Sequence, residues 1–226
     1  RTVAGVLDLR GGAAIRANGG SAPTTSYKPG GGGSVWVVAT ALTGTGTIEA
    51  NGGSTVNTGH GAGGGGAVSV EYGAASAEIL AGLRAATGGG SSFPGGAGTI
   101  HLVDRATSTY GDLIVDNANQ SGLRTVLASL GAGVAQVGTS GSLLVTGRTS
   151  VPAYFVGHWV RISAPDGTER GTWRVESISG GELTLEPGAT VVEGDAFHGV
   201  YRFDSVRVRG RARLVVRDWD EFGSLE

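Results

Sequence analysis

The chain has no cysteine and no methionine among its 226 residues. Disulfides, thiolate nucleophiles and Cys-based metal sites are therefore excluded. Lys28 is the sole lysine, so arginine supplies nearly all the positive charge, a pattern that fits a GC-rich coding sequence. The formal net charge is only −2, so no strong field draws the chain to nucleic acid or to an anionic membrane. The longest apolar runs are far too short to cross a bilayer, and no stretch has the pattern of a secretory leader. The chain starts at Arg1 in the middle of a pattern and ends in Leu225-Glu226, which resembles a cloning scar. A piece of a longer protein is expected.

What the chain has in excess is glycine, with 44 residues, roughly three times the usual share. Glycine does not fall at every third position, which excludes a collagen helix. Runs such as Val35-Trp36-Val37-Val38 and Thr99-Ile100-His101-Leu102-Val103 are strand-like and argue against disorder. The glycines thus read as turn residues of a folded β protein.

A period organises the first half. Gly11-Gly12-Ala13-Ala14-Ile15-Arg16-Ala17-Asn18-Gly19-Gly20 returns as Gly44-Thr45-Gly46-Thr47-Ile48-Glu49-Ala50-Asn51-Gly52-Gly53, and Ile15 to Ile48 is 48 − 15 = 33 residues. Looser echoes follow at Leu83 and Ile114. A second marker, a glycine cluster before a strand, places Val35, Val68 and Ile100 at intervals of 33 and 32. A fixed period in this range signals a solenoid or propeller. The blocks are short, alternating and β-branched, with too few strands per period for a propeller blade. The reading is all-β: a right-handed parallel β-helix over 1–122, one repeat per turn, with strands stacked about 4.8 Å apart.

Inward ladders would be Val35–Val68–Ile100 and Ile15–Ile48–Leu83–Ile114. Arg16, Glu49, Arg84 and Val115 would face outward. Asn18 and Asn51, each before Gly-Gly, read as turn residues, and glycine as the residue that permits φ > 0 at the corners. Loops carrying Tyr27-Lys28-Pro29 and Ser91-Ser92-Phe93-Pro94 would project from one side, making Tyr27 and Phe93 candidate contact residues.

The combination GTGTIEANGGS, GGGGSVWV and GAGGGGAVSVEY resembles the glycine-rich repeats of very large, adhesin-like bacterial surface proteins, abundant in myxobacteria and their relatives. The likeness covers about residues 5–120. It implies an exported, multi-repeat surface or secreted protein, and therefore an extracellular or cell-surface location.

After Asn117 the repeat stops. Residues 123–203 show closely spaced alternating strands with turn signals at Pro165-Asp166-Gly167 and Ser179-Gly180-Gly181, which predicts an inserted antiparallel barrel or sandwich. This segment too resembles a module recurring in the same surface proteins, through VGHWVRI, GTWRVESISGGELTLEPG and EGDAFHGVYRFDSVRVRGRARL. The coil is expected to resume over 204–226, with Leu214 falling on Ile15 and Arg207, Arg209, Arg211 and Arg213 forming one outward row paired with acidic residues. An insertion of this kind requires its two ends to lie close together.

Trp159 and Trp173 are candidate sugar-stacking residues, although each sits among alternating apolar residues, as core aromatics do. His158 and His198 lack a third ligand of informative spacing, so no metal is expected. Asp104, Asp112 and Asp116, with Asp8 on an earlier rung, are the nearest carboxylate set for glycoside chemistry, which needs a pair about 5–9.5 Å apart. No Asp-Asp doublet accompanies them, no glycine run ends as a phosphate loop does, and the Ca²⁺-binding nonapeptide is absent. No cofactor is expected. The function class is a non-catalytic structural or adhesive segment that displays loops and a β module to a cell-surface glycan or protein. The alternative is a polysaccharide-degrading β-helix enzyme or tailspike-like depolymerase.

Overall fold

The computed structural model describes residues 2–24, 26–56, 59–88 and 93–226. The structure is all-β. In chain order the strands are β1 (Thr2–Leu9), β2 (Ala14–Arg16), β3 (Ser34–Gly44), β4 (Thr47–Glu49), β5 (Ala67–Ala75), β6 (Leu83–Arg84), β7 (Thr99–Asp104), β8 (Asp112–Asp116) and β9 (Thr125–Val126). There follow β10 (Ala132–Val134), β11 (Ser140–Gly141), β12 (Leu143–Val145), β13 (Trp159–Ser163), β14 (Glu169–Ser179), β15 (Glu182–Leu185), β16 (Val191–Val192) and β17 (Ala196–Phe203). The last three are β18 (Ser205–Arg209), β19 (Leu214–Val215) and β20 (Trp219–Phe222). A single-turn helix, α1 (Ala77–Ala81), inserts the fully buried Ile79 between β5 and β6. Two compact units result: Arg1–Val126 with Phe203–Val215 and Phe222–Glu226, and Leu127–Arg202 with Val216–Glu221.

In the first unit β1, β3, β5 and β7 pair in parallel, and β2, β4 and β6 form a second parallel sheet. The register sets Val35 beside Val68 beside Ile100, and Ile15 beside Ile48 beside Leu83. Identical or similar aliphatic side chains thus meet their own copies, and Ile48, Val68 and Val70 are essentially free of solvent. Burying each contributes roughly 1.5–3 kcal/mol. On the other side Arg16 pairs with Glu49 at 3.1 Å, and Glu49 lies in register with Arg84.

The predicted ladder fails at its last member. Ile114 does not follow Leu83; it pairs antiparallel with Ile100, because β8 returns against β7 after a tight turn. The Asp204 carboxylate accepts the N–H groups of Thr109, Tyr110 and Gly111 in that turn. Val115 is consequently buried, not outward. Beyond the reversal a new parallel pair forms: β18 lies along β8, and β19 along β9. Leu214 therefore sits beside Thr125 and not on Ile15. The strand that leads toward the second unit and the strand that returns from it are neighbours, with Arg209 on Asp116 at 2.8 Å. The expected row of four arginines is also broken. Arg207 and Arg209 do pair with carboxylates, but Gly210 and Arg211 form a left-handed corner (φ 61° at both) before Arg213.

Corners and glycines depart from expectation in an informative way. Asn18 and Asn51 are not left-handed turn residues. The Asn18 Oδ1 accepts the N–H of Asn51 at 2.7 Å, and the Asn51 Oδ1 accepts the N–H of Ala86 at 2.9 Å. Each asparagine brackets one sequence repeat to the next. The glycines of the repeat are likewise mostly at negative φ. They interleave instead. Gly30 donates to Gly20, Gly53 to Gly30, Gly63 to Gly53 and Gly88 to Gly63, all at 2.9–3.0 Å. A Cβ on Gly66 would strike the Gly33 carbonyl oxygen, and one on Gly98 the Gly66 carbonyl oxygen. Chain segments pass too close for any side chain. The excursions keep the period too, through bridges Ala22–Thr55 and Gly61–Phe93; Ser91 and Ser92 lie outside the described residues.

The second unit is one antiparallel sheet in the order β10-β17-β13-β14-β15-β12-β11-β16, with β20 added beside β17. Its inner face packs Leu144, Val160, Ile162, Val175, Leu183 and Phe197 into a separate core. Its bounds begin at Leu127, four residues after the expected 123, and it takes back Val216–Glu221 from the tail. Sequence pattern could not reveal that last borrowing, since 216–221 follows the resumed strands.

Candidate binding surfaces

Strand parity separates the two tryptophans singled out in the sequence. On β13, Val160 and Ile162 are fully buried, so Trp159, Arg161 and Ser163 project from the opposite face. The register puts Arg174 and Val200 beside Trp159, and Thr172 and His198 beside Arg161. Trp173 pairs with Val160 and packs against the core, with its ring across Gly171. Trp159 is thus an outer-face residue and Trp173 an inner one.

Outer-face neighbours build a layer the sequence reading did not assemble. Trp219 stacks on His198 with ring centroids 4.1 Å apart and 13° between planes. The Arg161 guanidinium lies 5.2 Å from the Trp219 ring centre, and those of Arg202 and Arg174 lie 5.0 and 5.6 Å from Trp159. Such contacts contribute about 0.5–1 kcal/mol each when exposed. Glu221 takes ion pairs from both Arg161 and Arg202. Trp219 remains 45% exposed. The available signal was parity: Trp159 and Arg161 share one side of a strand whose other side is Val160 and Ile162.

His158 lies elsewhere and does a structural job. Asp218, with a fully buried side chain, accepts the N–H groups of Leu130 and Gly131, the Ser129 hydroxyl, and the His158 Nε2–H at 3.0 Å. Burial pushes the His158 pKa below its usual value, with Asp218 only partly offsetting that, so the imidazole is neutral and its Nε2 carries the proton that the carboxylate accepts. Tyr201 packs edge-on against His158 and donates its hydroxyl to the Ala128 carbonyl. Burial, then the Asp218 charge, then Tyr154 push its phenol up to about 12. Here the carboxylate sits between hydroxyl and imidazole. A nucleophilic triad needs the imidazole in the middle. His158 and His198 do not form a metal pair: His158 is committed to Asp218 and His198 to Trp219, and no three-residue metal cluster occurs among the described residues.

The carboxylates weighed for glycoside chemistry are also committed. Asp104 caps its own turn through the Ala106 N–H, Asp112 accepts the Ser205 hydroxyl, and Asp116 holds Arg209 and the Ala118 N–H. Asp112 and Asp116 are four residues apart on one strand, about 13 Å, beyond the spacing that hydrolysis uses.

A groove of about 470 Å³ lies alongside β6 at the end of the first unit's three-stranded sheet. Leu83, Ala85 and Ile100 supply its apolar part, and Arg84, Gln120, Asp116 and Arg209 its polar part. The carboxylate and guanidinium there neutralise each other. Tyr27 and Phe93 are on the excursions, 63% and 67% exposed, and neither lines the groove. Comparison with protein-family models, with curated proteins and with solved structures found no match.

Proposed function

We propose that the chain is a length of right-handed parallel β-helix carrying an inserted barrel-like or sandwich-like β module, and that it serves as a non-catalytic, adhesive scaffold in an exported bacterial surface protein of the glycine-rich repetitive kind. The observation that carries the reading is the register. Parallel strands meet their own copies 32–35 residues on, as in Val35↔Val68, Val68↔Ile100 and Ile48↔Leu83. The asparagine brackets and interleaved glycines repeat with the same step, which fits a chain built for length and stiffness. The reversal between β7 and β8 changes strand direction while parallel stacking begins again at β8 and β18. A barrel-like module is supported by Ala135, whose N–H bonds Asp195, and by Gln136, whose N–H bonds Val145, since these tie β10's continuation to both flanks of the strand order. The adhesive role is supported by the outer aromatic layer and the exposed excursions, and a cell-surface glycan or protein is the partner class.

The test is a polysaccharide panel run twice, once for turnover and once for retention of protein-coated beads. Retention without new reducing ends or unsaturated products is expected. Turnover that Asp112→Asn abolishes would replace this reading with the depolymerase one.

A further inference from the structure

We propose that the outer face of the second unit, centred on Trp219, binds a carboxylated polysaccharide. The inference rests on the adhesive reading and names the ligand chemistry and the residues. Charge asymmetry is the first observation. Residues 127–202 and 216–221 contain six arginines and ten carboxylates, a balance of 6 − 10 = −4. Yet three of those arginines, Arg161, Arg174 and Arg202, lie on this one face. Arg161 and Arg202 share Glu221, and Arg161 also faces Glu169 at 3.6 Å, so both are spent on carboxylates of the same face. Among the described residues Arg174 makes no ion pair; its Nε donates to the Gly157 carbonyl, and its guanidinium lies by Trp159. Arg174 is thus the guanidinium of the three that stands ready for an anionic ligand, and its planar fork matches a carboxylate.

The aromatic geometry is the second observation. Trp219 is held by His198 and Arg161, and still exposes 45% of its surface. A pinned, amphipathic ring loses little entropy on binding. Four neighbouring strands, β14, β13, β17 and β20, carry Arg174, Arg161, His198 and Trp219 in turn, a track about 14 Å wide at the ordinary strand spacing. That suits a short stretch of a linear chain that alternates apolar ring faces with carboxylates. An acidic peptide is the less suitable occupant, because extended peptides dock on sheet edges through main-chain bonds, whereas this is a sheet face that offers only side chains.

The experiment is affinity electrophoresis of the full chain through gels containing polygalacturonate, with dextran and poly-glutamate gels alongside. Retardation by polygalacturonate, falling as salt rises, is expected, with none in dextran and little in poly-glutamate. Trp219→Ala is expected to weaken it at least tenfold and Arg174→Gln several-fold, while Trp219→Phe keeps most of it. Unfolding temperatures of each variant accompany the gels, so that Trp219→Phe and Arg174→Gln decide the matter if the alanine variant does not fold. No retardation by polygalacturonate, equal retardation by poly-glutamate, or full retention in folded Trp219→Ala and Arg174→Gln would each overturn the proposal. Bead retention with no polygalacturonate binding would leave the scaffold reading standing and remove only this ligand.

Discussion

The two units use glycine for opposite purposes. Ten glycines of the second unit, among them Gly167, Gly180 and Gly188, have positive φ, and several of them turn one antiparallel strand into the next. Among the described residues of the first unit, Gly11, Gly12, Gly44, Gly111 and Gly210 are the glycines with positive φ. Gly32, Gly66 and Gly98 keep ordinary backbone angles and are required because neighbouring segments leave no room for a Cβ. One residue type therefore answers two physical demands, conformation in one unit and proximity in the other. The units also distribute their polar anchoring differently. The second gathers four donors on the buried Asp218, whereas the first gathers three backbone N–H groups on Asp204 and adds like brackets at Asn18 and Asn51.

Breaking the concentrated anchor is expected to have the largest effect. Asp218→Ala strands four donors around a buried site and is expected to cost about 3–5 kcal/mol, read as a lost or lowered unfolding transition. Next comes Gly66→Ala, at about 3 kcal/mol from overpacking against the backbone of Gly32 and Gly33. Gly167→Ala, at φ 87° with open space around it, is expected to cost only about 1–2 kcal/mol. Thermal melts of the pair separate the two roles of glycine. If Gly66→Ala proves the milder, proximity is not what fixes glycine in the first unit.

A pH titration sharpens the contrast. His158 has a folded pKa below its usual 6.5, so the unfolded chain takes up the proton first. Its contribution is full above about 6.5 and falls as the pH drops from there toward the folded value. Glu49 behaves differently. Burial raises its pKa, but hydrogen bonds from Asn18, Thr47 and Arg16 outweigh that and leave it below the usual 4.5. Its contribution is present above 4.5 and is lost as pH falls through the lowered value. Acid should weaken the second unit first, and His158→Asn should remove that early slope in melts taken between pH 7 and 5. The smaller effects belong to the first unit. Asn51→Ala should cost about 1 kcal/mol for one bracket. Ala118→Gly should stabilise by about 1 kcal/mol, because Ala118 stands at φ 50° in a corner that Gly11 and Gly12 make at φ 59° and 78°.

How far the sequence could be read follows from the same contrast. The ladders through Ile48 and Val68 were legible because each sequence repeat copies the last, and repetition carries register. The reversal at β7 was not, since a strand such as Asp112–Asp116, with three apolar residues between two aspartates, looks alike in either direction. Asn51 was misread because Asn-Gly is a turn signal in isolation, and its partner, the Ala86 amide, lies 35 residues on. Arg161 and Trp159 were within reach through parity alone. Trp219 and Asp218 were not: their partners are 21 and 60–89 residues away, and no periodicity links them.

The interleaved glycines bear on how such a gene can grow. The column joins an outgoing segment to a returning one, Gly20 to Gly30 and Gly53 to Gly63, steps of 10 residues, and then bridges to the following copy, Gly30 to Gly53, a step of 23. Ten and 23 make 33, so a tandem duplication of that many codons adds a complete new link at either end of the column. The next bridge, Gly63 to Gly88, spans 25, so the connecting segments take up small length changes, whereas slippage that moves a glycine out of the column puts a side chain where only hydrogen fits. Polymorphism in this stretch should therefore come in whole repeats, while length changes of one or two codons gather in the excursions around Tyr27 and Val56.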